Sequence, residues 1–393
     1  MTADFIIVGG GVGGAVLAGL LGRNDKKVLV LERNLTAPNW VRPEILWPRS
    51  MDVLFSLSPR QRWLDRAALP LREIEFHDGR RVVSFFRESV LREPRVQPWS
   101  TDPNQTREHL LNLGTFEVRR GVEVISVLKE GGRVVGVRTR DVSTRQEADI
   151  VGRCTVGDDG AQSLVRKACG IELATREFPI EFVCFDGDRP AAIPPGHARV
   201  WWNPRALDTG IVGLMMMPLP NNRFAALVPV VSKTFAANAA VDACWERFCQ
   251  SEAGIRTVLA GRRFPHDMVR VNRSWGHAVR YGADGVVLIG DAVHPVSPAG
   301  GQGANMSIAD AVALAELVLS QTNNLLAEYE RLRRPANARS IRPTRIAEWI
   351  WSAPPWLSPV PLVPFMVHAI GQCPRLQHRF MRSNARSFQG SAA

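Results

Sequence analysis

The chain has 393 residues, enough to bury a large core and to form two or three domains unless the domains interleave. Its net charge of +11 comes mostly from arginine, and because it contains no lysine or arginine block we expect no nucleic-acid partner. Six cysteines without a Cys-x-x-Cys pair argue against a disulfide framework and indicate thiols in a reducing compartment, so we predict a cytoplasmic location.

The first apolar run, residues 5–22, has the length of a membrane span but is rich in glycine. A buried strand at residues 5–8, followed by a helix that ends near residue 21, explains the run better.

The turn between this strand and helix carries a dinucleotide-binding pattern. Gly9, Gly11 and Gly14 open the helix, a second strand follows at residues 28–31, and Glu32 stands at its end. The glycines allow a tight turn and a close approach of a pyrophosphate, and the acid suits the hydroxyls of a ribose without a 2′-phosphate. The pattern predicts that an adenine dinucleotide binds here.

The middle of the chain reads as strands. Residues 73–85 alternate around Asp78-Gly79, which favours a hairpin, and residues 122–140 predict a second strand pair. Alternating runs between residues 178 and 281 predict an antiparallel sheet, with a helix from about residue 241 packed on it.

The stretch 285–310 reads as strand, loop and helix. Its apolar strand ends at Asp291, a Pro/Gly-rich loop follows, and an apolar-periodic helix of about 15 residues starts near Asn305. A carboxylate followed by glycines and a helix N-terminus suits a ligand with hydroxyls and anionic groups.

Together these segments resemble the single-component (group A) FAD-dependent monooxygenases of the p-hydroxybenzoate hydroxylase type. The matching motifs are the glycine turn, Gly157-Asp-Asp159-Gly-Ala-Gln-Ser163-Leu-Val-Arg166, and Gly290-Asp291-Ala-Val-His294 with Pro298-Ala-Gly-Gly301-Gln302-Gly303-Ala304-Asn305. A further segment, Arg42-Pro-Glu-Ile-Leu-Trp-Pro48, is similar to squalene epoxidases and ubiquinone-pathway hydroxylases. The sequence departs from the family at Asp158, where a small residue is usual.

The resemblance implies an α/β fold (α+β overall), in which a Rossmann-like FAD-binding domain is interleaved with an antiparallel-sheet substrate domain and followed by a helical C-terminus. It assigns the FAD-binding domain to residues 1–72, 100–177 and 282–340. The substrate-binding domain takes residues 73–99 and 178–281, and a helical, apolar tail takes residues 341–393.

The resemblance and the dinucleotide pattern also imply a set of FAD-binding residues. These are Gly9, Gly11, Gly14, Glu32, Arg33, Arg42, Arg107, Val124, Asp159, Asp291, Pro298, Gly301, Gln302, Gly303, Ala304 and Asn305. In this assignment Asp291 holds the ribityl chain, Arg107 meets the pyrophosphate, and the backbone of Val124 contacts the adenine. Arg42 and Pro298 lie by the flavin, residues 301–305 present backbone amides to it, and Arg166 holds a loop.

The implied activity is a monooxygenation that uses FAD, NADPH or NADH, and O2, through a flavin hydroperoxide. We assign no catalytic side chain, because the flavin carries the chemistry. Trp202, Met215, Met217 and Leu227 are the candidates for substrate contacts. Because Tyr281 and Tyr329 lie outside the predicted sheet, we expect no tyrosine relay for ionising a phenol. The predicted substrate is hydrophobic, either an aromatic polyketide of secondary metabolism, which would be hydroxylated, or an isoprenoid-like alkene, which would be epoxidised.

Other functions share these motifs. An FAD-dependent reductase or dehydrogenase of the geranylgeranyl reductase type is the main alternative, and oxygen-dependent product formation would separate it from a monooxygenase. Flavin halogenases are a further branch, although the chain lacks their Trp-x-Trp-x-Ile-Pro segment. A non-catalytic flavin-binding partner protein is the third alternative.

The remaining features concern metals and the C-terminus. His266, His277 and His294 lack ligand spacing, so we expect no metal site. Five prolines interrupt the apolar residues 354–370, which therefore cannot form an ordinary spanning helix. We expect this tail to form a lid over the substrate cavity or simply to pack on the fold, and the alternative is a peripheral membrane contact backed by three arginines, Arg375, Arg379 and Arg382. The sequence does not indicate an oligomeric state.

Overall fold

The structure is a computed structural model that describes residues 2–90, 96–233, 241–260, 269–271, 274–298, 301–352, 357 and 359–384. The strands, in chain order, are β1 (Ala3–Val8), β2 (Val28–Glu32), β3 (Glu44–Leu46), β4 (Ala68–Pro70), β5 (Glu73–His77), β6 (Val82–Arg87), β7 (Trp99–Thr101), β8 (Glu117–Arg120), β9 (Val122–Glu130), β10 (Arg133–Asp141), β11 (Glu147–Gly157), β12 (Leu173–Glu177), β13 (Ile180–Asp188), β14 (His197–Trp202), β15 (Gly213–Leu219), β16 (Arg223–Val231), β17 (Val269–Val271), β18 (Ser274–Ala278), β19 (Gly282–Ala283) and β20 (Val286–Leu288). The helices are α1 (Val12–Gly22), α2 (Pro48–Leu57), α3 (Arg60–Leu64), α4 (Pro103–Leu111), α5 (Leu164–Ala168), α6 (Ala206–Thr209), α7 (Val241–Cys249), α8 (Ala253–Val258), α9 (Gly303–Leu319), α10 (Leu325–Ser352), α11 (Val363–Gln372) and α12 (Pro374–Asn384).

The first large sheet has a parallel core. Its strands run in the order β20, β11, β1, β2 and β8, and the antiparallel strands β9 and β10 extend from β11. The apolar run of membrane-span length is the central strand β1 together with the buried helix α1, as predicted. Because parallel strands open their carboxyl ends at one edge, the turns after β1, β11 and β20 meet there. This is the predicted Rossmann-like arrangement.

The second large sheet runs in the order β17, β13, β16, β15, β14, β5 and β6. Its pairs are antiparallel, as predicted, except that β14 and β5 are parallel. The exception arises because the hairpin of β5 and β6 enters from an earlier part of the chain, so that no tight turn fixes its direction relative to β14.

The two faces of this sheet have different neighbours. One face, with Trp201, Met216 and Phe224, is buried against α7 and α8 in a single apolar cluster. Because side chains alternate along a strand, Trp202 and Met215 point to the opposite face. This opposite face, the inner face, packs against Val296 and Met306, which lie in the loop and the helix that follow β20 of the first sheet.

Two helices complete the first sheet. α9 approaches α1 so closely that a Cβ on Gly13 would lie 3.0 Å from the Cβ of Ser307. α10 continues through Pro335 and Pro343 to Ser352. The predicted domain boundary at residue 340 therefore falls inside a helix, and the domain limits stay a prediction.

The C-terminal helices pack on β6. A Cβ on Gly371 would lie 2.4 Å from Val83 Cγ2, and Gln377 Nε2 donates a hydrogen bond to the carbonyl oxygen of Ser84 at 3.2 Å. His368 Nε2 lies 2.9 Å from a carboxylate oxygen of Asp78 in the β5–β6 turn. Among the helices in the described ranges, none combines the length and the apolar character needed to span a bilayer.

Candidate active site

The turn after β1 is built for close backbone approach. Gly9 has a φ of +100°, which residues with a side chain rarely adopt, and a Cβ there would lie 2.4 Å from the carbonyl oxygen of Asp158. A Cβ on Gly11 would lie 2.4 Å from Asp158 Oδ2, and one on Gly14 would lie 2.8 Å from the same atom. The turn itself therefore carries no side chain at the N-terminus of α1, where an anion can meet the helix amides, and the carboxyl group of Asp158 lies close to it.

A cavity of about 390 Å³ lies on one side of this turn. Six of the predicted cofactor residues line it together: Gly9, Gly11, Glu32, Arg33, Val124 and Asp159. The carboxylate of Glu32 is held in place because Oε2 accepts a hydrogen bond from Gly10 N–H at 2.9 Å and Oε1 accepts one from Asn34 N–H at 2.7 Å. The cavity offers a fixed carboxylate to a ribose, as expected for an adenosine site.

Arg107 lies beside the glycine turn, and its contact with the pyrophosphate stays a prediction. Its guanidinium is 3.6 Å from Glu32 Oε2 and 3.4 Å from Glu108 Oε1, and it does not line either of the two cavities at the glycine turn. The carboxylates of Glu32, at the end of β2, and Glu108, in α4, attract the guanidinium.

A second cavity, of about 210 Å³, lies on the other side of the glycine turn. The predicted residues that line it are Arg42, Asp291, Pro298, Gly301, Gln302, Gly303 and Ala304. Gly11 and Asp158 line both cavities, so the two meet at the N-terminus of α1. An adenosine-sized cavity, an anion-binding turn and a second cavity follow one another in the order of adenosine, pyrophosphate and flavin in FAD. The residues present therefore fit FAD.

Asn305 does not line the second cavity, but its side chain holds the backbone of two segments that do. Its side chain is fully buried, and Oδ1 accepts hydrogen bonds from Trp47 N–H at 3.0 Å and Ser50 Oγ at 2.6 Å. Nδ2 donates to the carbonyl oxygens of Ile45 at 2.9 Å and Gly301 at 3.0 Å. Asn305 thus ties the loop before α9 to the segment that contains Arg42.

Arg166 joins two loops, in agreement with the loop-holding role predicted for it. Nη1 donates to the carbonyl oxygen of Ala292 at 2.8 Å, and Nη2 donates to that of Ala161 at 3.0 Å. Asp159 Oδ2 accepts from Val165 N–H at 3.1 Å at the start of α5. These bonds fix the loop after β11 against the loop after β20.

Asp158, which departs from the family pattern and has no role predicted from the sequence, lies against the glycine turn. Its Oδ2 accepts a hydrogen bond from Gly14 N–H, in α1, at 2.8 Å. Burial raises the pKa of this carboxyl well above its ordinary value, against the effect of the Gly14 hydrogen bond, and the nearby carboxylates of Asp291, Asp159 and Asp310 raise it further. An acid with this environment stands where the two cavities meet.

A buried polar network behind the second cavity was also missed. Asp310 in α9 pairs with His294 in the loop after β20 and with Arg333 in α10. Asn337 Nδ2 donates hydrogen bonds to Asp310 Oδ1 at 3.0 Å and to the hydroxyl oxygen of Tyr281 at 3.2 Å. The same hydroxyl group lies 2.6 Å from His277 Nε2. Burial would raise the pKa of Asp310, but the charges of His294 and Arg333 outweigh it and hold the pKa below its usual range. His266 lies outside the described residues.

The inner face of the second sheet forms an apolar cluster against the loop before α9. Three of the four predicted substrate residues, Trp202, Met215 and Leu227, belong to this cluster together with Val296 and Met306. Met217 lies farther along β15 in a neighbouring cluster, which contains Trp47, Leu71 and Met381.

One group in the described ranges has the composition of a cation site, formed by Glu73, Glu75 and His197. Its carboxylates already pair with arginines, Glu73 Oε1 with Arg87 Nε at 2.9 Å and Glu75 Oε2 with Arg199 Nε at 2.7 Å. The positive charges that balance these two carboxylates therefore come from arginine side chains, and no metal ion is needed to explain the grouping.

Comparison with known proteins agrees with this geometry. The sequence model of the family described as "FAD binding domain" matches residues 2–344. The chain belongs to this family. A relative from Bacillus subtilis strain 168, named "Uncharacterized aromatic compound monooxygenase YhjG", is 28% identical over 363 residues, covering 88% of this chain and 68% of the relative. The 6-methylpretetramide 4-monooxygenase of Streptomyces rimosus is 28% identical over 362 residues, covering 86% and 82%.

The fold is also that of known monooxygenases. The crystal structure of p-nitrophenol 4-monooxygenase PnpA from Pseudomonas putida DLL-E4 superposes with a TM-score of 0.77 at 18% identity, covering 100% of this chain and 99% of that one. The family match and these relatives confirm the resemblance to FAD-dependent monooxygenases, and they do not favour the reductase alternative.

Proposed function

We propose that this FAD-dependent monooxygenase uses NADPH or NADH and O2 to hydroxylate or epoxidise a large, apolar substrate, either a fused-ring aromatic such as a polyketide or an isoprenoid-like alkene. The observation that carries the proposal is the packing of Trp202, Met215 and Leu227 against Val296 and Met306. An apolar sheet face thereby stands beside the cavity that fits a flavin. The relatives named for an aromatic compound and for 6-methylpretetramide support the aromatic branch.

In the proposed site the protein binds and orients FAD through polar groups of the first sheet. Amides at the N-terminus of α1 receive the pyrophosphate, and the fixed carboxylate of Glu32 accepts hydrogen bonds from the ribose hydroxyls. Asp291 holds the ribityl chain, with Arg42 and Pro298 beside the flavin in the same cavity. When bound, FAD supplies the electron transfer and oxygen activation that side chains lack.

The second sheet would exclude water and select the substrate. Phe178, Phe182 and Trp275 are buried in the inner cluster, which keeps the reaction space dry and protects a reactive oxygen species from solvent. The ring of Trp202 lies 5.9 Å from that of Trp351 and 6.4 Å from that of Phe76. Such a row of rings favours stacking with a flat, fused-ring substrate over a small polar phenol.

Steady-state oxidation of NADPH and NADH by the FAD-loaded protein tests the proposal. We expect large apolar aromatics or alkenes to accelerate oxidation and O2 consumption together, more than small phenolic acids do. Acceleration by small phenolic acids alone would refute the substrate class. Substrate conversion that continues without O2 would refute the monooxygenase and favour the reductase.

We further propose a contact between the C-terminal helices and an anionic lipid surface. Leu362, Phe365 and Met366 have the spacing of one helix face and are 57%, 74% and 56% exposed. Leu376 and Phe380 of α12 are also exposed. The same helix carries three exposed basic residues, Arg375, Arg379 and Arg382. Apolar side chains beside arginines complement anionic headgroups. The six cysteines form no disulfide, which is compatible with a reducing, cytoplasmic location.

Co-sedimentation with vesicles tests this contact. We expect the full chain to bind phosphatidylcholine vesicles that contain phosphatidylglycerol, and to bind pure phosphatidylcholine weakly. Phe365→Asp with Met366→Asp should abolish the binding without changing FAD content. Equal binding by the variant, or a concentration-dependent dimer in place of vesicle binding, would contradict the proposal.

A further inference from the structure

Asp158 occupies the point through which a dinucleotide would pass between the two cavities. It lines both of them, and its Oδ2 accepts a hydrogen bond from Gly14 N–H in the first turn of α1. The helix N-terminus that would receive the pyrophosphate therefore already has a carboxyl group of the protein on it. Both anions would use the same positive end of the helix.

The residues around Asp158 disfavour a negative charge on its carboxyl group, because several of them are acids. Asp159 in the same loop, Asp291 after β20 and Asp310 in α9 are the acids that act on it. Gly290 and Ser307 face it without charge, since a Cβ on Gly290 would lie 3.1 Å from Asp158 Oδ1 and 2.7 Å from Ser307 Oγ. The charged residues that line the two cavities with it are Arg42 and Glu44 on one side and Glu32, Arg33 and Glu123 on the other. His294 and Arg333 lie behind Asp310 and pair with it.

We infer that FAD binding to this protein takes up one proton, at the carboxyl group of Asp158. This inference rests on the proposed seat of FAD. The pyrophosphate brings negative charge to the end of α1, so the bound state favours Asp158 as a neutral acid, whose carbonyl oxygen still accepts from Gly14 N–H. The proton comes from solvent, and no other bond forms or breaks.

The coupling gives FAD affinity a defined pH dependence. Where Asp158 is protonated before FAD arrives, affinity does not change with pH. Above the pKa of Asp158 in the FAD-free protein, each pH unit lowers the affinity by up to tenfold, until the pKa of the FAD-bound protein is reached. FAD would therefore be held more tightly in mildly acidic than in alkaline solution.

Two measurements on the full chain test the inference. The first is the Kd for FAD from quenching of flavin fluorescence, measured from pH 6 to 9. The second is the number of protons taken up, from calorimetry in two buffers of different ionisation enthalpy. Asp158→Asn keeps an oxygen for Gly14 N–H and cannot titrate. Asp149→Asn is the matched control, because Asp149 is an exposed acid on β11 that pairs with Arg138 at 2.7 Å.

We expect an uptake approaching one proton per FAD in the alkaline part of the range for the wild type and for Asp149→Asn, with a Kd that rises as pH rises. Asp158→Asn should lose this uptake and bind FAD more tightly than the wild type at pH 9. FAD binding without proton uptake, or the same uptake in Asp158→Asn, would overturn the inference and leave the proposed function standing. Failure to bind FAD at all would overturn both.

Discussion

Asp310 Oδ2 lies 2.5 Å from His294 Nε2, and neither residue is accessible to solvent. The other carboxylate oxygen accepts from Arg333 Nε at 2.8 Å, and Arg333 is likewise inaccessible. The three residues come from α9, from the loop after β20 and from α10. A single buried ion cluster thus joins the elements that position Asp291 and Pro298 at the proposed flavin seat.

Removing the carboxylate from this cluster should destabilise the protein strongly. Asp310→Ala leaves the buried guanidinium of Arg333 without its carboxylate partner, and we expect a loss of about 3–5 kcal/mol in the free energy of unfolding. Equilibrium unfolding in urea measures this change in the free energy of unfolding. The exposed pair of Arg138 and Asp149 is the control, and Asp149→Asn should leave the unfolding midpoint unchanged. A midpoint for Asp310→Ala close to that of the wild type would contradict the structural role of the cluster.

The stability of the protein should fall as the pH is lowered from about 6.5 to about 4. Burial, followed by the nearby charges of His294 and Arg334, lowers the pKa of His277 to about 4. The unfolded chain therefore binds a proton on His277 through this window while the folded protein does not, so the stabilisation is present above the window and lost within it. Unfolding at a series of pH values should show a shallower dependence for His277→Gln. An unchanged slope in that variant would refute this assignment.

Glu32 should matter for the adenosine half of the cofactor alone. Glu32→Ala removes the carboxylate that Gly10 N–H and Asn34 N–H hold in place, and we expect FAD to bind about tenfold or more weakly, on the basis of one or two lost charge-assisted hydrogen bonds. FMN lacks the adenosine and is the matched ligand, so its Kd should be the same for the variant and the wild type. Equal weakening of both flavins would show a general disturbance of the turn.

Trp202 should act on the substrate and leave the cofactor unaffected. Trp202→Ala removes the central ring of the row between Phe76 and Trp351, so KM for the best apolar substrate should rise by about tenfold, as expected for the loss of a stacked aromatic contact. Trp202→Phe retains a ring and should recover much of the affinity. The Kd for FAD should not change in either variant, and a change there would place Trp202 in the cofactor site.

The features that could be predicted from the sequence are local ones. The glycine turn and Glu32 follow one another within a single strand–helix–strand unit, so their spacing alone brought them together. Alternation along β14 and β15 likewise predicts a shared face for Trp202 and Met215, and both pack on the cluster that contains Val296 and Met306. Alternation does not say how far along the face a residue lies, which is why Met217 belongs with Trp47 and Leu71.

The features that were missed depend on contacts distant in sequence. Arg333 and Asn337 are one turn apart on α10 and read as ordinary polar helix residues until the fold sets them against Asp310. Asp158 was visible as a departure from the family pattern, yet its meaning required the distance to Gly14, 144 residues away. The pairing of Arg107 with two carboxylates, one of them 75 positions earlier in the chain at Glu32, was likewise not visible in the sequence, and its role at the pyrophosphate stays a prediction.

The most direct test of the central claim is the origin of oxygen in the product. The FAD-loaded protein is supplied with NADPH or NADH, a panel of fused-ring aromatics and alkenes, and ¹⁸O2, and the products are analysed by mass spectrometry. A monooxygenase is expected to incorporate one labelled oxygen atom per product molecule and to form no product under nitrogen. Product that carries no label, or that forms equally well without oxygen, would contradict the account.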